Sequence, residues 1–339
     1  MSELNRQIIL RRPVQGMPAP EDFELVESPI PQPEAGEVLV QTIYVSLDPY
    51  MRGGMSREER VGEVMIGGVT GQVAASRHPE FQEGQFVCQY VGGYGWQSYG
   101  VVPGEELRVL DPGLVPISTS LGIVGMPGVS AYFGLLEVGK PVAGETVVVS
   151  AASGAVGAVA GQIAKLKKCR AVGIAGSREK CDYIVEELGF DAAVNYRTED
   201  LDAELARTCP AGIDVYFDNV GGTIQDEVLQ QMNMYGRVSL CGAIAEYNEP
   251  VGSFQGLRST RLVQVKEVRM EGFRQGKFED RHEEAFALLS WWVRHGKLKY
   301  REDIIMGLEK APEAFIGMMQ GRNFGKLLIQ VREDPTQDS

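Results

Sequence analysis

Residues 146–168, TVVVSAASGAVGAVAGQIAKLKK, decide the fold. Val147, Val148 and Val149 are consecutive β-branched residues, the composition of a parallel strand covered on both faces. Ala151, Ala152, Ser153 and Gly154 then open a turn. From Ala155 the period changes: Val156, Val159, Ala160, Ile163 and Leu166 fall at helical spacing on one face. Gly154, Ala158 and Gly161 form a second line with almost no side chain, which predicts a helix lying close against a strand. Lys165, Lys167 and Lys168 stand at the end of the helix, where cations suit its dipole.

The turn reads AxGxxG, with Ala152, Gly154 and Gly157 at its small positions. Small residues there let backbone N–H groups approach a pyrophosphate at a helix N-terminus. The pattern alone is weak; the strand before it and the helix after it supply the context it requires.

The chain has 339 residues, a length that suits two domains. Its net charge is −13, from 46 acidic and 33 basic residues, and it has no long basic tract, so a nucleic-acid partner is not expected. No apolar run reaches the ~20 residues of a membrane span, and MSELNRQIILRR lacks a signal-peptide core. No membrane partner and a cytoplasmic location are therefore expected. Cys88, Cys169, Cys181, Cys209 and Cys241 are scattered and contain no CxxC pair, which points to reduced thiols.

Outward from the opening stretch the texture differs on the two sides. Residues 1–125 read as short strands and turns, including an alternating strand from Glu37 to Val45, the pattern of an antiparallel β barrel or sandwich. After a helical connector, GIVGMPGVSAYFGLLEVGK, strands at 145–150, 170–175, 191–196, 213–218 and 236–241 alternate with helices at 155–168, 178–188, 199–207 and 224–234. A strand near 268–273 and a helix from Asp280 to Arg294 follow. The last forty residues add a strand, a short helix and a strand that leave this rhythm. The simplest architecture is α/β, with a Rossmann nucleotide-binding domain (126–297) inserted in a β domain made of 1–125 plus 298–339.

NAD binders place an acid about 20 residues beyond the glycine turn, on the ribose hydroxyl. Here the second strand ends at Gly176 and is followed by Ser177, Arg178, Glu179 and Lys180, a hydroxyl and two cations with no carboxylate at the tip. That exchange favours NADPH/NADP; the same cations would also suit a solvated helix start. Two further strand ends, FDNVGG (217–222) and CGAIAEYN (241–248), place small residues beside an amide and a phenol, as a ribose and nicotinamide need. Only His78, His282 and His295 exist, none near another or near a cysteine in sequence, so no metal ligand set is expected.

Together, SLDPYMRGGM, GMPGVSAYFGLLEVG, AASGAVGAVAGQIAKLKKC, AGSREKC, FDNVGG, CGAIAEYN and GRNFGK, spread over positions 46–326, resemble the zinc-free medium-chain dehydrogenase/reductase family. The branch is that of leukotriene B4 12-hydroxydehydrogenase/prostaglandin reductase, plant alkenal double-bond reductases and bacterial NADPH-dependent curcumin reductase. The resemblance implies a GroES-like β-barrel catalytic domain around the Rossmann domain, NADPH, and a homodimer. It implies pyrophosphate contacts at Gly154, Ala155, Val156 and Gly157, with Lys180 at the 2′-phosphate, beside the Ser177 hydroxyl and Arg178 cation read from the strand tip. Tyr196 would lie on the adenosine side, and Asn219 with Cys241, Gly242, Ala243, Ile244 and Tyr247 along the nicotinamide ribose. Phe273 and Asn323 match the remaining cofactor contacts.

The implied reaction moves a hydride to the β carbon of an alkene conjugated to a carbonyl and then a proton, from a tyrosine, the ribose 2′-hydroxyl or a water, to the α carbon, so a small hydrophobic conjugated carbonyl is the expected substrate. Charge develops as an enolate and needs a hydrogen-bond donor; Tyr50 and Tyr247 are the two catalytic candidates. Two departures stand out. Val265 occupies the place of a tyrosine found shortly before the RME segment in prostaglandin reductases, and Gly67, Gly68 and Val69 replace a tyrosine-bearing stretch of plant members. An open pocket walled by Tyr94 and Trp96 is therefore expected. A quinone reductase of the same family and a non-enzymatic NADPH-binding protein are the competing readings.

Overall fold

The computed structural model describes residues 3–90, 92–249 and 260–337. The chain forms two compact units, Met1–Met126 with Glu302–Ser339, and Pro127–Arg301.

In the first unit β1 (Leu4–Leu10) and β2 (Phe23–Pro29) make an antiparallel hairpin. The strands β3 (Glu37–Ser46), β4 (Val69–Ser76), β5 (Phe86–Gln89), β6 (Tyr99–Pro103) and β7 (Arg108–Val109) build the main sheet. The alternation expected of β3 is not what burial shows: only Glu37 and Gln41 escape full burial. The reason is packing: Val38 and Val40 join a core cluster with Phe81, Val87 and Val102, while Ile43 and Tyr44 join another with Ile117, Leu121 and Leu328.

The second unit continues from α1 (Met126–Phe133) through a π-helical turn, Gly134–Gly139. There follow β8 (Thr146–Ser150), α2 (Gly157–Leu166), β9 (Arg170–Ala175), α3 (Arg178–Glu186), β10 (Ala192–Asn195) and α4 (Leu201–Thr208). Then come β11 (Ile213–Asp218), α5 (Gly222–Gln231), β12 (Met232–Leu240), α6 (Thr260–Val265), β13 (Arg269–Gly272) and α7 (His282–Arg294). The strands form one parallel sheet in the order β10-β9-β8-β11-β12-β13. The chain winds one way from β8 and the other way from β11, so the switch point at which such sheets bind ligands lies at the ends of these two strands.

Every residue of β8 is buried, as the valine run predicts. Two expectations for the helices change. Gly161 does not serve a strand: a Cβ there would overlap the Phe190 ring, which fills the space instead. Helix α5 stops at Gln231 rather than 234, because Asn233 turns its amide to Ala211 O (3.0 Å) and Asp214 (2.7 Å) and Tyr235 adopts φ 63°.

The tail, β14 (Glu302–Met306), α8 (Ala311–Met319) and β15 (Lys326–Gln330), returns to the first unit. There β15 pairs antiparallel with β3 and parallel with β14, closing the order β14-β15-β3-β4-β5-β7. The core beneath is made by Met51, Met55, Met65, Trp96, Phe315 and Leu327, among others. Each such side chain contributes roughly 1.5–3 kcal/mol by leaving water.

Candidate active site

The turn after β8 begins with Ala151 at φ 48°, whose carbonyl accepts from Gly154 N at 2.9 Å. A Cβ at Gly157 would overlap that same carbonyl, so the third small position is demanded by the turn itself. Ala152 lies over Gly173 of β9, where a Cβ would come within 2.8 Å of it. The first amides of a helix have no acceptor within it, and no side chain caps α2, whereas Ser177 and Asp200 cap α3 and α4. An uncapped helix start behind a turn stripped of side chains fits a pyrophosphate.

At the tip of β9 a Cβ on Gly176 would meet the Tyr196 ring at 3.1 Å and Arg197 Nε at 3.2 Å. Tyr196 is 39% exposed, and its hydroxyl accepts from Arg197 Nε at 3.3 Å. Arg197, missed by sequence reasoning although it follows Tyr196 directly, adds a cation to this tip. Ser177 spends its oxygen on Lys180 N (3.3 Å), and Arg178 holds Asp182 at 2.7 Å along the helix. Arg178 is thus engaged on its own helix, while Lys180 is half-buried at the same edge.

Where β8 and β11 end, Asn219 donates from Nδ2 to Ser150 O (2.7 Å) and from its backbone to Ser150 Oγ (2.9 Å). Cys241 N and Gly242 N both donate to Asp218 O, at 2.8 and 3.1 Å, which folds the segment after β12 against the end of β11. Ile244 N reaches Asn219 O at 3.3 Å. Tyr247 turns back over this loop: its hydroxyl accepts from Ala243 N at 3.4 Å and lies 3.3 Å from where a Gly242 Cβ would sit. Burial raises the Tyr247 pKa, so the phenol keeps its proton and can still donate. Burial and the charge of Asp218 push the half-buried Cys241 thiol up to about 12. The Phe273 ring packs edge-on to Phe217 and fills the place a side chain on Gly134 would take.

The first unit holds Tyr50 in a turn, Pro49–Gly54, that starts at Asp48. Asp48 is 6% exposed, and its Oδ1 accepts from Lys326 Nζ at 2.6 Å. Lys326 also donates to Ser46 Oγ (2.6 Å) and Leu47 O (3.0 Å), and Ser46 hydrogen-bonds Asp48. The Tyr50 hydroxyl is buried and has no hydrogen-bond partner among the described residues. Burial first, and then the Asp48 charge, raise its pKa, and the nearby Gly92 backbone lowers it.

The expected aromatic wall is corrected at Trp96. Trp96 is 0% exposed, stacked on Phe23 and edge-on to Phe315, so its ring is core packing. Tyr94 lies against Gly100 and shares a hydrogen bond with Thr42. A Cβ at Gly67 would meet Ser46 O at 3.0 Å and Met51 Cε at 3.1 Å, and one at Gly68 would meet Tyr90 O at 3.0 Å, so the backbone is closely packed at both glycines. Asn323 bonds Gly325 O at 3.0 Å in the turn before β15, and Val265 ends α6 half-exposed.

Residues 6–110 match a family described as the N-terminal domain of oxidoreductase, and residues 155–291 one described as zinc-binding dehydrogenase. NADPH-dependent curcumin reductase of Escherichia coli (strain K12) is 43% identical over 97% of this chain and 98% of its own. The chain belongs to the medium-chain dehydrogenase/reductase family, in its zinc-free branch. Despite the second description, the described residues bring no three His, Cys, Asp or Glu side chains together as a metal site. The NADP-dependent 2-alkenal reductase of Nicotiana tabacum is 40% identical over 97% of this chain and 98% of its own. The crystal structure of CurA in complex with NADPH from Vibrio vulnificus superposes with a TM-score of 0.89, at 41% identity, over 97% of this chain and 100% of that one. This family member is an NADPH-dependent oxidoreductase. No helix among the described residues is long and apolar enough to cross a membrane.

Proposed function

We propose that the enzyme reduces the carbon–carbon double bond of α,β-unsaturated aldehydes and ketones. The observation that carries this reading is the buried Tyr50 hydroxyl, a phenol with no partner among the described residues. A buried polar atom left unpaired costs roughly 1–3 kcal/mol, a cost that makes sense where the donor serves a ligand.

Bound NADPH supplies the hydride. Gly154, Ala155, Val156 and Gly157 would hold its pyrophosphate; Ser177, Arg178, Lys180 and Tyr196 its adenosine end; Asn219, the Cys241–Tyr247 loop, Phe273 and Asn323 the remainder. The protein's own part is electrostatic. As charge builds on the carbonyl oxygen of the substrate, a phenol aimed at that oxygen stabilises the enolate. Tyr50 and Tyr247 are the two candidates, and both stay protonated at neutral pH because burial raises their pKa values. The small apolar substrate of this reading needs no charged partner. The relatives named for 2-alkenal and curcumin reduction support the substrate class.

The test is NADPH consumption with a 2-alkenal, an aryl enone and a quinone. Turnover of the first two is expected; turnover of the quinone alone would replace this reading with a quinone reductase, and tight NADPH binding without any turnover would replace it with a binding protein. The same reading expects a cytoplasmic homodimer, whose assembly light scattering on the purified protein measures.

A further inference from the structure

We infer that Ser150 and Asp218 act as positioning residues, fixing Asn219 and the loop after β12 where the nicotinamide ribose is to sit; the inference rests on the cofactor contacts proposed above. Asp218 ends β11 with 0% exposure. One oxygen, Oδ1, accepts from Ser150 Oγ (3.0 Å), Tyr216 OH (2.8 Å), Val220 N (2.9 Å) and Gly221 N (3.0 Å), while Oδ2 accepts from Gln225 Nε2 at 2.7 Å. Five donors on one carboxylate hold its charge in place without a cation. Its backbone carbonyl meanwhile takes the amides of Cys241 and Gly242.

Ser150 is the joint. Its hydroxyl donates to Asp218 and accepts from Asn219 N, so β8 sets the direction of the amide that follows β11. The two strands concerned flank the switch point of the sheet, where a displaced side chain is felt by a ligand at once. Tyr216 donates to the same oxygen and borders the Ser150 hydroxyl, but among the described residues it makes no hydrogen bond to Asn219 or to the loop after β12. It is therefore a matched control: one hydroxyl to Oδ1 is lost in each case, and only Ser150 is bonded directly to Asn219.

The experiment measures NADPH affinity by nicotinamide fluorescence, together with the thermal midpoint, for Ser150→Ala, Tyr216→Phe and Asn219→Ala in the full-length protein. Asn219→Ala should weaken NADPH about tenfold or more, and Ser150→Ala about fivefold to tenfold, as expected for a donor left without its acceptor. Tyr216→Phe should lower the midpoint as Ser150→Ala does and leave affinity within about twofold. Equal loss of affinity in Ser150→Ala and Tyr216→Phe overturns the positioning role, since general destabilisation would then explain both. Unchanged affinity in Ser150→Ala beside a weakened Asn219→Ala also overturns it and leaves the cofactor contacts standing. Unchanged affinity in Asn219→Ala removes the contact on which the inference rests.

Discussion

At the ends of β8 and β11 each polar side chain of the Asp218 network has a partner, and Asp218 alone gathers five donors. In the Pro49–Gly54 turn of the first unit the arrangement is the reverse. Asp48 is locked to Lys326 while Tyr50, two residues on, keeps a buried hydroxyl that nothing among the described residues satisfies. A site for a cofactor of fixed shape can be finished in advance. A site that must stabilise charge only as it develops needs a rigid frame and an uncommitted donor.

Breaking the frame should have the largest effect. Lys326 is 4% exposed, and Lys326→Met leaves Asp48 buried without its counter-ion. Loss of one member of a buried pair costs roughly 3–5 kcal/mol, which urea unfolding of the variant will read. A loss below about 1 kcal/mol would mean that the turn does not depend on the pair.

Removing the donor should separate stability from rate. Tyr50→Phe deletes an unpartnered hydroxyl, so unfolding free energy should hold or rise, whereas kcat for an enone should fall on the order of 100-fold if Tyr50 is the donor. Tyr247→Phe takes the same measurement for the other candidate, and whichever variant keeps its rate is excluded. The pH profile follows from the sign of the shifts. A phenol whose pKa is raised above 10 stays a donor past that pH, so kcat should show no loss from phenol ionisation below about pH 10.

Lys180→Ala probes the cofactor side more gently. If Lys180 meets the 2′-phosphate, the KM for NADPH should rise about tenfold and that for NADH by less than about twofold. Equal changes would shift the phosphate to Arg197, the cation that the structure adds beside Gly176.

What the sequence could disclose followed the range of the signal. The valine run of β8, the helical period of α2 and the small residues of the turn are local, and the parallel sheet was legible from them. Ser150 and Asp218 are 68 positions apart and Asp48 and Lys326 278 apart, so no period or motif links them. Trp96 misled for a related reason. In a glycine-rich stretch it reads as a pocket-wall aromatic, and only the folded chain brings Phe23 and Phe315 against it. Gly161 likewise awaited Phe190, which no helical pattern announces.

The smallest expected effect concerns Cys241. An enzyme that handles conjugated carbonyls meets electrophiles that add to thiolates, yet a thiol stands in the loop proposed for its cofactor. Burial and the charge of Asp218 push that thiol up to about 12, which keeps it in the unreactive thiol form at pH 8. Cys88, Cys169, Cys181 and Cys209 are buried, and burial raises the pKa of the last three as well. The native protein should therefore react with a disulfide reagent far more slowly at pH 8 than the urea-unfolded chain does. Cys241→Ala should change the rate of inactivation by an excess of a reactive enone by less than about twofold. Rapid labelling of Cys241, slowed by NADPH, would instead show that the buried carboxylate holds the loop without quieting the thiol beside it.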